Sequence, residues 1–179
     1  GLLNAAVEAA DAFLEDGLIV RTKGRLVYSN ASFHAKPGDL LKGAPMVVLV
    51  DAGTASAAEV LAGALRDHGR ASVMGSRTYG KGSVQTVVPL DNGDSIKLTT
   101  ARYYTPSGSS IQARGIRPDI VLRGEAARGL REQDLAGHLA GEGEAKAKAG
   151  ELIEGDAAIS RALDALKAGT ATARARRRF

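Results

Sequence analysis

Three side chains of this 179-residue chain carry chemistry at suggestive spacing: Ser56 within "GTASAAE", Lys81 within "GSRTYGKGS", and Gln85 four positions further on. A serine hydroxyl attacks a carbonyl only when a base takes its proton. Histidine is the usual base, but His34, His68 and His138 are the only three, and none sits beside another catalytic-looking motif. His34 is expected in a loop and His138 in a late helical region. His68 ends the helix that Ser56 would open, roughly 18 Å away at a rise of 1.5 Å per residue. A lysine amine, with a free pKa of about 10.4, can replace histidine where burial favours its neutral form. The apolar neighbours of Lys81, Val84 and Val87 among them, are the expected source of that burial.

The elements around these residues explain the interest in Ser56. "MVVLV" at 46–50 is a continuous apolar run, which predicts a strand buried on both faces. A turn and a helix over 55–68 follow, with Val60, Leu61, Ala64 and Leu65 as its apolar stripe. "ASVMG" at 71–75 is a further strand, so the pattern is a β-α-β unit with parallel pairing. Ser56 therefore stands where a buried strand turns into a helix. Free backbone N–H groups and the helix dipole favour negative charge there, which suits an oxyanion. Taken alone, Thr54 or Ser56 reads as an N-cap; the lysine motif is what turns the reading towards a nucleophile.

The lysine motif admits another reading, because Gly75, four residues, then Gly80-Lys81 nearly match a phosphate-binding loop. Gly82 stands where that loop needs a hydroxyl for magnesium, and a strand-like alternation follows where a helix must open. Nucleotide binding is set aside on both counts. On a strand, Lys81, Ser83 and Gln85 would share one face, so the glutamine amide could orient the amine. "SVQTVVPL" and "SIKLTTARYY" around Asn92-Gly93 predict a β-hairpin.

Elsewhere, residues 2–15 predict a helix with Leu3, Val7, Ala10 and Leu14 on one face, ended by Asp16-Gly17. Leu18–Thr22 and Arg25–Tyr28 read as short strands turning at Lys23-Gly24, residues 29–45 as loop, and "IVLRG" after Pro118-Asp119 as a further extended run. Residues 131–140 and 156–168 are expected to be helical, joined by a flexible "GEGEAKAKAG". Aromatics are only 4% of residues, with no Trp, so the core is expected to be aliphatic. The absence of cysteine excludes disulfides, thiol catalysis and Cys-ligated zinc. Scattered histidines without H-E-x-x-H argue against a metalloprotease. The net charge of +4 is matched by Arg174, Arg176, Arg177 and Arg178, an end expected to be solvated and unstructured. Nucleic-acid binding is accordingly not expected. No apolar run reaches the roughly 18 residues of a membrane span.

"VVLVDAGTASAAEVLAGALRDHGRASVMGSRTYGKGSVQTVVPL" resembles the core of the carboxyl-terminal processing, or tail-specific, proteases. The resemblance runs from Gly1 to about Val121, and "TASA" followed by "GKGSVQ" is a specific combination. It implies an α/β fold: a mixed sheet with β-α-β units of the crotonase/Clp-protease-like superhelix type, followed by C-terminal helices. It implies Ser56 as nucleophile, Lys81 as general base and Gln85 as the residue orienting it. The backbone N–H of Ala57 is implied as one oxyanion donor and Gly1 as the remnant of the other. Asp51 departs from the Asn common in the family, and Ala58 from a frequent serine.

The resemblance further implies a serine endopeptidase cutting proteins near unstructured C-terminal tails, without metal or cofactor, on the periplasmic side of a membrane. Tyr103 and Tyr104 fall on a family strand near the site, where core packing is the favoured role. Partners would be protein substrates, with a homo-oligomer or an adaptor protein as further options. Residues 1–124 are read as a peptidase core lacking upstream strands and the family's PDZ module, and 125–179 as a helical extension with a basic tail. The expectation is a piece of a longer enzyme, inactive by itself. A non-catalytic peptide- or ligand-binding module on the same fold is the alternative.

Overall fold

The computed structural model describes residues 1–126, 131–142 and 150–176. The first helix, α1 (Leu3–Asp11), leads to strand β1 (Leu18–Gly24) and, after a 3-10 turn over Val27–Ser29, to β2 (Ala31–His34). The expected hairpin turn at Lys23-Gly24 is therefore displaced: β1 runs through both residues and the reversal spans 25–30. Polar side chains set this wider turn. Thr22 Oγ1 donates to Ser29 O and accepts from Ala31 N, while Asn30 Oδ1 accepts from Gly24 N. Helix α1 stops earlier than expected; its predicted face nonetheless packs inward, with Ala10 and Leu14 buried and Leu3 and Val7 against them.

Strand β3 (Val47–Val50), helix α2 (Ala57–Asp67) and strand β4 (Ser72–Gly75) form the expected β-α-β unit, with Val47 opposite Ser72 and Val50 opposite Gly75 in parallel register. Strand β7 (Ile120–Val121) adds in parallel to β4, giving the order β3-β4-β7. The continuous apolar run of β3 is not buried on both faces: it is an edge strand and Leu49 is 41% exposed. The second sheet is antiparallel, in the order β2-β1-β6-β5, where β5 (Ser83–Pro89) and β6 (Ser95–Tyr104) make the predicted hairpin. Gly93 in its turn has φ +88°, a conformation that only glycine adopts without strain. The architecture is mixed α/β.

The main core lies where α1 and α2 meet β1 and β6. Ile19, Val20, Val60, Ala64, Leu65, Tyr103, Ile111 and Ile116 are buried there, and the whole predicted stripe of α2 takes part. Each fully buried Val, Leu or Ile contributes about 1.5–3 kcal/mol, so this cluster fixes α2, and with it the position of Ser56. The Tyr103 ring is part of this core, whereas the Tyr104 hydroxyl donates to Glu142 Oε1 at 2.7 Å. Burial and that carboxylate together push the Tyr104 hydroxyl up to about 12.

The chain after Val121 departs most from expectation. Residues 131–140 hold only a 3-10 turn (Glu132–Asp134) in place of a helix. Short strands β8 (Glu125–Ala126) and β9 (Glu151–Leu152) pair antiparallel, and helix α3 (Ala157–Arg176) runs past the expected end at 168. The arginine-rich end is thus helical through Arg176, while Arg177 and Arg178 lie outside the described residues, as do 143–149 of the expected flexible join. Among the described residues, no helix is long and apolar enough to cross a membrane.

Candidate active site

The turn from β3 into α2 is built by Asp51. Its Oδ1 accepts from Gly53 N and Thr54 N at 2.9 and 3.2 Å, and its own N–H donates to Thr54 Oγ1. These bonds close the bend before Ser56, which occupies the N-cap position of α2 with φ +59° and ψ −121°. A side chain with a β-carbon rarely adopts that conformation, and holding it there costs on the order of 1–3 kcal/mol. Such strain persists only where neighbouring groups impose it. Ala57, the next residue, is the first of the helix and carries an N–H that has no intrahelical partner. Gly1 lies alongside: a β-carbon placed on it would stand 3.3 Å from Ala57 Cβ. The two backbone positions implied as oxyanion donors are therefore neighbours.

Lys81 lies in the loop between β4 and β5, and β5 begins only at Ser83. The expected single strand face of Lys81, Ser83 and Gln85 does not form: Lys81 precedes the strand and is partly buried, Ser83 is buried and Gln85 is exposed. The two glycines flanking Lys81 explain the difference. Gly80 has φ +96°, and a β-carbon on Gly82 would stand 2.3 Å from Gln112 N, so the chain is pressed against residues 112–115 before it can enter the sheet. Gln85 pairs with Thr99 just beyond a bulge at Thr100 of β6. Val84 packs on the main core, whereas Val87 is 60% exposed and does not provide the burial expected of it.

The residue that unites the two segments is Glu59, whose part is not evident from the motifs alone. It is fully buried, one turn into α2. Its Oε2 accepts from Ser56 N at 2.8 Å and from Lys81 N at 2.9 Å. Its Oε1 accepts from Gly80 N at 2.8 Å and from the Thr78 hydroxyl. One carboxylate oxygen thus bridges the backbone of the serine and that of the lysine. A further strut runs from Tyr79 N to Thr54 O at 3.0 Å. Burial raises the Glu59 pKa above the usual carboxylate value, against the four hydrogen bonds, which lower it. The Ser56-to-Glu59 spacing matches the S-x-x-E of a capping box; that local signal was available in the sequence, the contact with Gly80 and Lys81 was not.

The histidines play other parts. His68 Nε2 lies 2.7 Å from Leu18 O, and His138 Nδ1 2.9 Å from Leu135 O. His34 is exposed at the end of β2.

A strained serine at a strand-to-helix bend, tied by a buried carboxylate to a glycine-flanked lysine, is the constellation to set beside known proteins. In three dimensions the chain is similar to the photosystem II D1 C-terminal processing protease, with a TM-score of 0.62 and 40% identity over 68% of this chain and 31% of that one. The sequence profile of Peptidase family S41 matches residues 1–122, and the chain belongs to that family. It is 49% identical over 151 residues to a carboxy-terminal-processing protease of Bartonella bacilliformis, covering 80% of this chain and 35% of that protein. It is 44% identical over 126 residues to a chloroplastic C-terminal processing peptidase of Tetradesmus obliquus, covering 26% of it. The chain thus spans between about a quarter and a third of the length of these relatives.

Proposed function

We propose that the chain carries the catalytic elements of a serine endopeptidase that cuts proteins near their C-terminal tails, with Ser56 as nucleophile and Lys81 as general base. The observation that supports this most strongly is Glu59 Oε2, which accepts from the backbone of both residues. In the reaction, neutral Lys81 takes the proton as Ser56 Oγ bonds to the scissile carbonyl carbon. The oxyanion is held by the N–H groups of Ala57 and Gly1, where the start of α2 favours negative charge. Collapse breaks the C–N bond, the amine leaves with the proton from Lys81, and water then clears the acyl-enzyme by the same route. For Gln85 the family resemblance supports an orienting part without proton transfer, although it does not share a strand face with Lys81 here.

The names of the relatives, a carboxy-terminal-processing protease and a chloroplastic C-terminal processing peptidase, support C-terminal processing as the activity; a setting on the periplasmic side of a membrane rests on the family resemblance alone. The test is proteolysis of a substrate with an unstructured C-terminus by the full-length enzyme of which this chain is read as a part. Ser56→Ala and Lys81→Ala are each expected to abolish turnover with the circular dichroism spectrum unchanged, and Gln85→Ala to lower it only partly. Turnover surviving in Lys81→Ala removes the dyad.

A further inference from the structure

The lysine loop is held from its other side by a second relay, which involves chain beyond the family match at 1–122. Gln112 is completely buried. Its Oε1 accepts from Gly82 N at 3.0 Å, next to Lys81. Its Nε2 donates to Glu132 Oε1 at 3.1 Å and to Leu139 O at 2.9 Å. Both amide hydrogens are thus spent on residues 131–142, and the carbonyl on the loop. Gly80 O accepts from Ala113 N at 2.8 Å, which clamps the loop on both sides of Lys81. The same segment is fastened to β6 by Glu142, which accepts from Tyr104 and lies 3.2 Å from Arg102 Nη1.

A buried amide with all three partners in place has no alternative arrangement of equal energy, because any rotation leaves a donor or acceptor unpaired away from water. The loop and the segment must therefore move together. The 49% identical relative aligns with 80% of this chain, more than residues 1–122 supply, so its likeness reaches into this region.

We infer that Gln112 is a positioning residue for Lys81, and that residues 131–142, through Glu132 and Leu139, set the seating of the lysine loop by way of that amide. The C-terminal extension is then a working part of the peptidase site. This rests on the reading of Lys81 as the base, but its structural half does not.

Glu132 is the place to test it, since it lies at the outer end of the relay. Glu132→Ala removes an acceptor from Gln112, while Glu132→Gln retains one through its amide oxygen. Two readouts on the full-length enzyme are compared: backbone hydrogen exchange, and kcat and KM for an unstructured peptide. Glu132→Ala is expected to speed exchange at Lys81 and Gly82 while leaving Ala62–Leu65 of α2 unchanged. It should also lower kcat roughly 10–100-fold, the scale of a displaced catalytic group, with KM nearly constant. Glu132→Gln is expected to restore both. Unchanged exchange at Lys81 and Gly82 in Glu132→Ala overturns the relay, as does a uniform rise throughout α2. Faster loop exchange with undiminished kcat overturns its catalytic part. If wild type shows no proteolysis, the peptidase reading fails, and exchange alone decides whether the segment seats the loop.

Discussion

At the scale of single residues, the conformation of Ser56 is the feature with the sharpest consequence. A φ of +59° with ψ of −121° is glycine territory, so the serine is kept there at a cost of about 1–3 kcal/mol. Glycine would relieve the strain but add freedom to the unfolded chain, which offsets part of the gain. Ser56→Gly is therefore expected to melt higher than Ser56→Ala by about 2–4 °C, the equivalent of roughly 1 kcal/mol for a chain of this size. Both should be inactive. Paired thermal melts by calorimetry check it, and equal melting temperatures would show that the bend is not strained in solution. The sequence pointed to Ser56 and Lys81 through their motifs, "GTASAAE" and "GKGS". It could not show the strain, because a backbone torsion imposed by Asp51, Thr54 and Glu59 is a property of their folded arrangement.

At the scale of elements, Glu59 couples the start of α2 to the β4–β5 loop, and its protonation has opposite effects on stability and on activity. Four donors converge on its two oxygens. A proton on the carboxyl converts an acceptor into a donor, so one of those groups loses its partner. The folded pKa lies above the usual 4.5, with burial as the main cause. By linkage this group favours the folded state most below its unfolded pKa, and that contribution is lost as pH rises through the folded value. Acid therefore does not unfold the protein through Glu59, yet it loosens the joint between Ser56 and Lys81. Activity is expected to fall on the acid side at a pH above the ordinary glutamate range, before any loss of helical signal. In Glu59→Gln the part of the acid limb owed to this carboxyl should vanish, leaving only the fall that any general base shows on protonation, while kcat drops roughly tenfold or more at every pH. A pH–rate profile beside a pH-dependent circular dichroism titration checks both. A pH–rate profile of unchanged shape in Glu59→Gln would assign the whole limb to another group.

The same scale shows why some elements were legible and others not. The β-α-β unit follows from local patterns: an apolar run, a helical stripe and a second apolar run in order. The β5–β6 hairpin follows from Asn92-Gly93 between alternating strands. Residues 131–140 have a helical composition but do not form a helix, since Gln112 claims Glu132 and the Leu139 carbonyl, and Gly137 takes φ +71°. The alternation that begins nearby favours a strand through Lys81; the close approach of Gly82 to Gln112 delays the strand by two residues. Each miss is a contact between residues distant in sequence overriding a local preference.

At the scale of the whole molecule, two sheets and the helix between them bring together segments separated by 25 positions, and the later chain braces both. β9 touches the serine side: Glu151 O accepts from Ala52 N, Ser76 Oγ donates to that same carbonyl, and Glu151 N donates to Ser76 Oγ at 2.9 Å. Residues 131–142 brace the lysine side through Gln112. The central claim is that this frame presents Ser56 as a nucleophile activated by Lys81. A fluorophosphonate probe, which bonds covalently to an activated serine oxygen, tests it most directly. In the full-length enzyme the account predicts a single adduct on Ser56 by peptide mass spectrometry, lost in Lys81→Met although that variant keeps the wild-type circular dichroism spectrum. Labelling of Ser56 at the wild-type rate in Lys81→Met, or no labelling in a folded wild type, would contradict it.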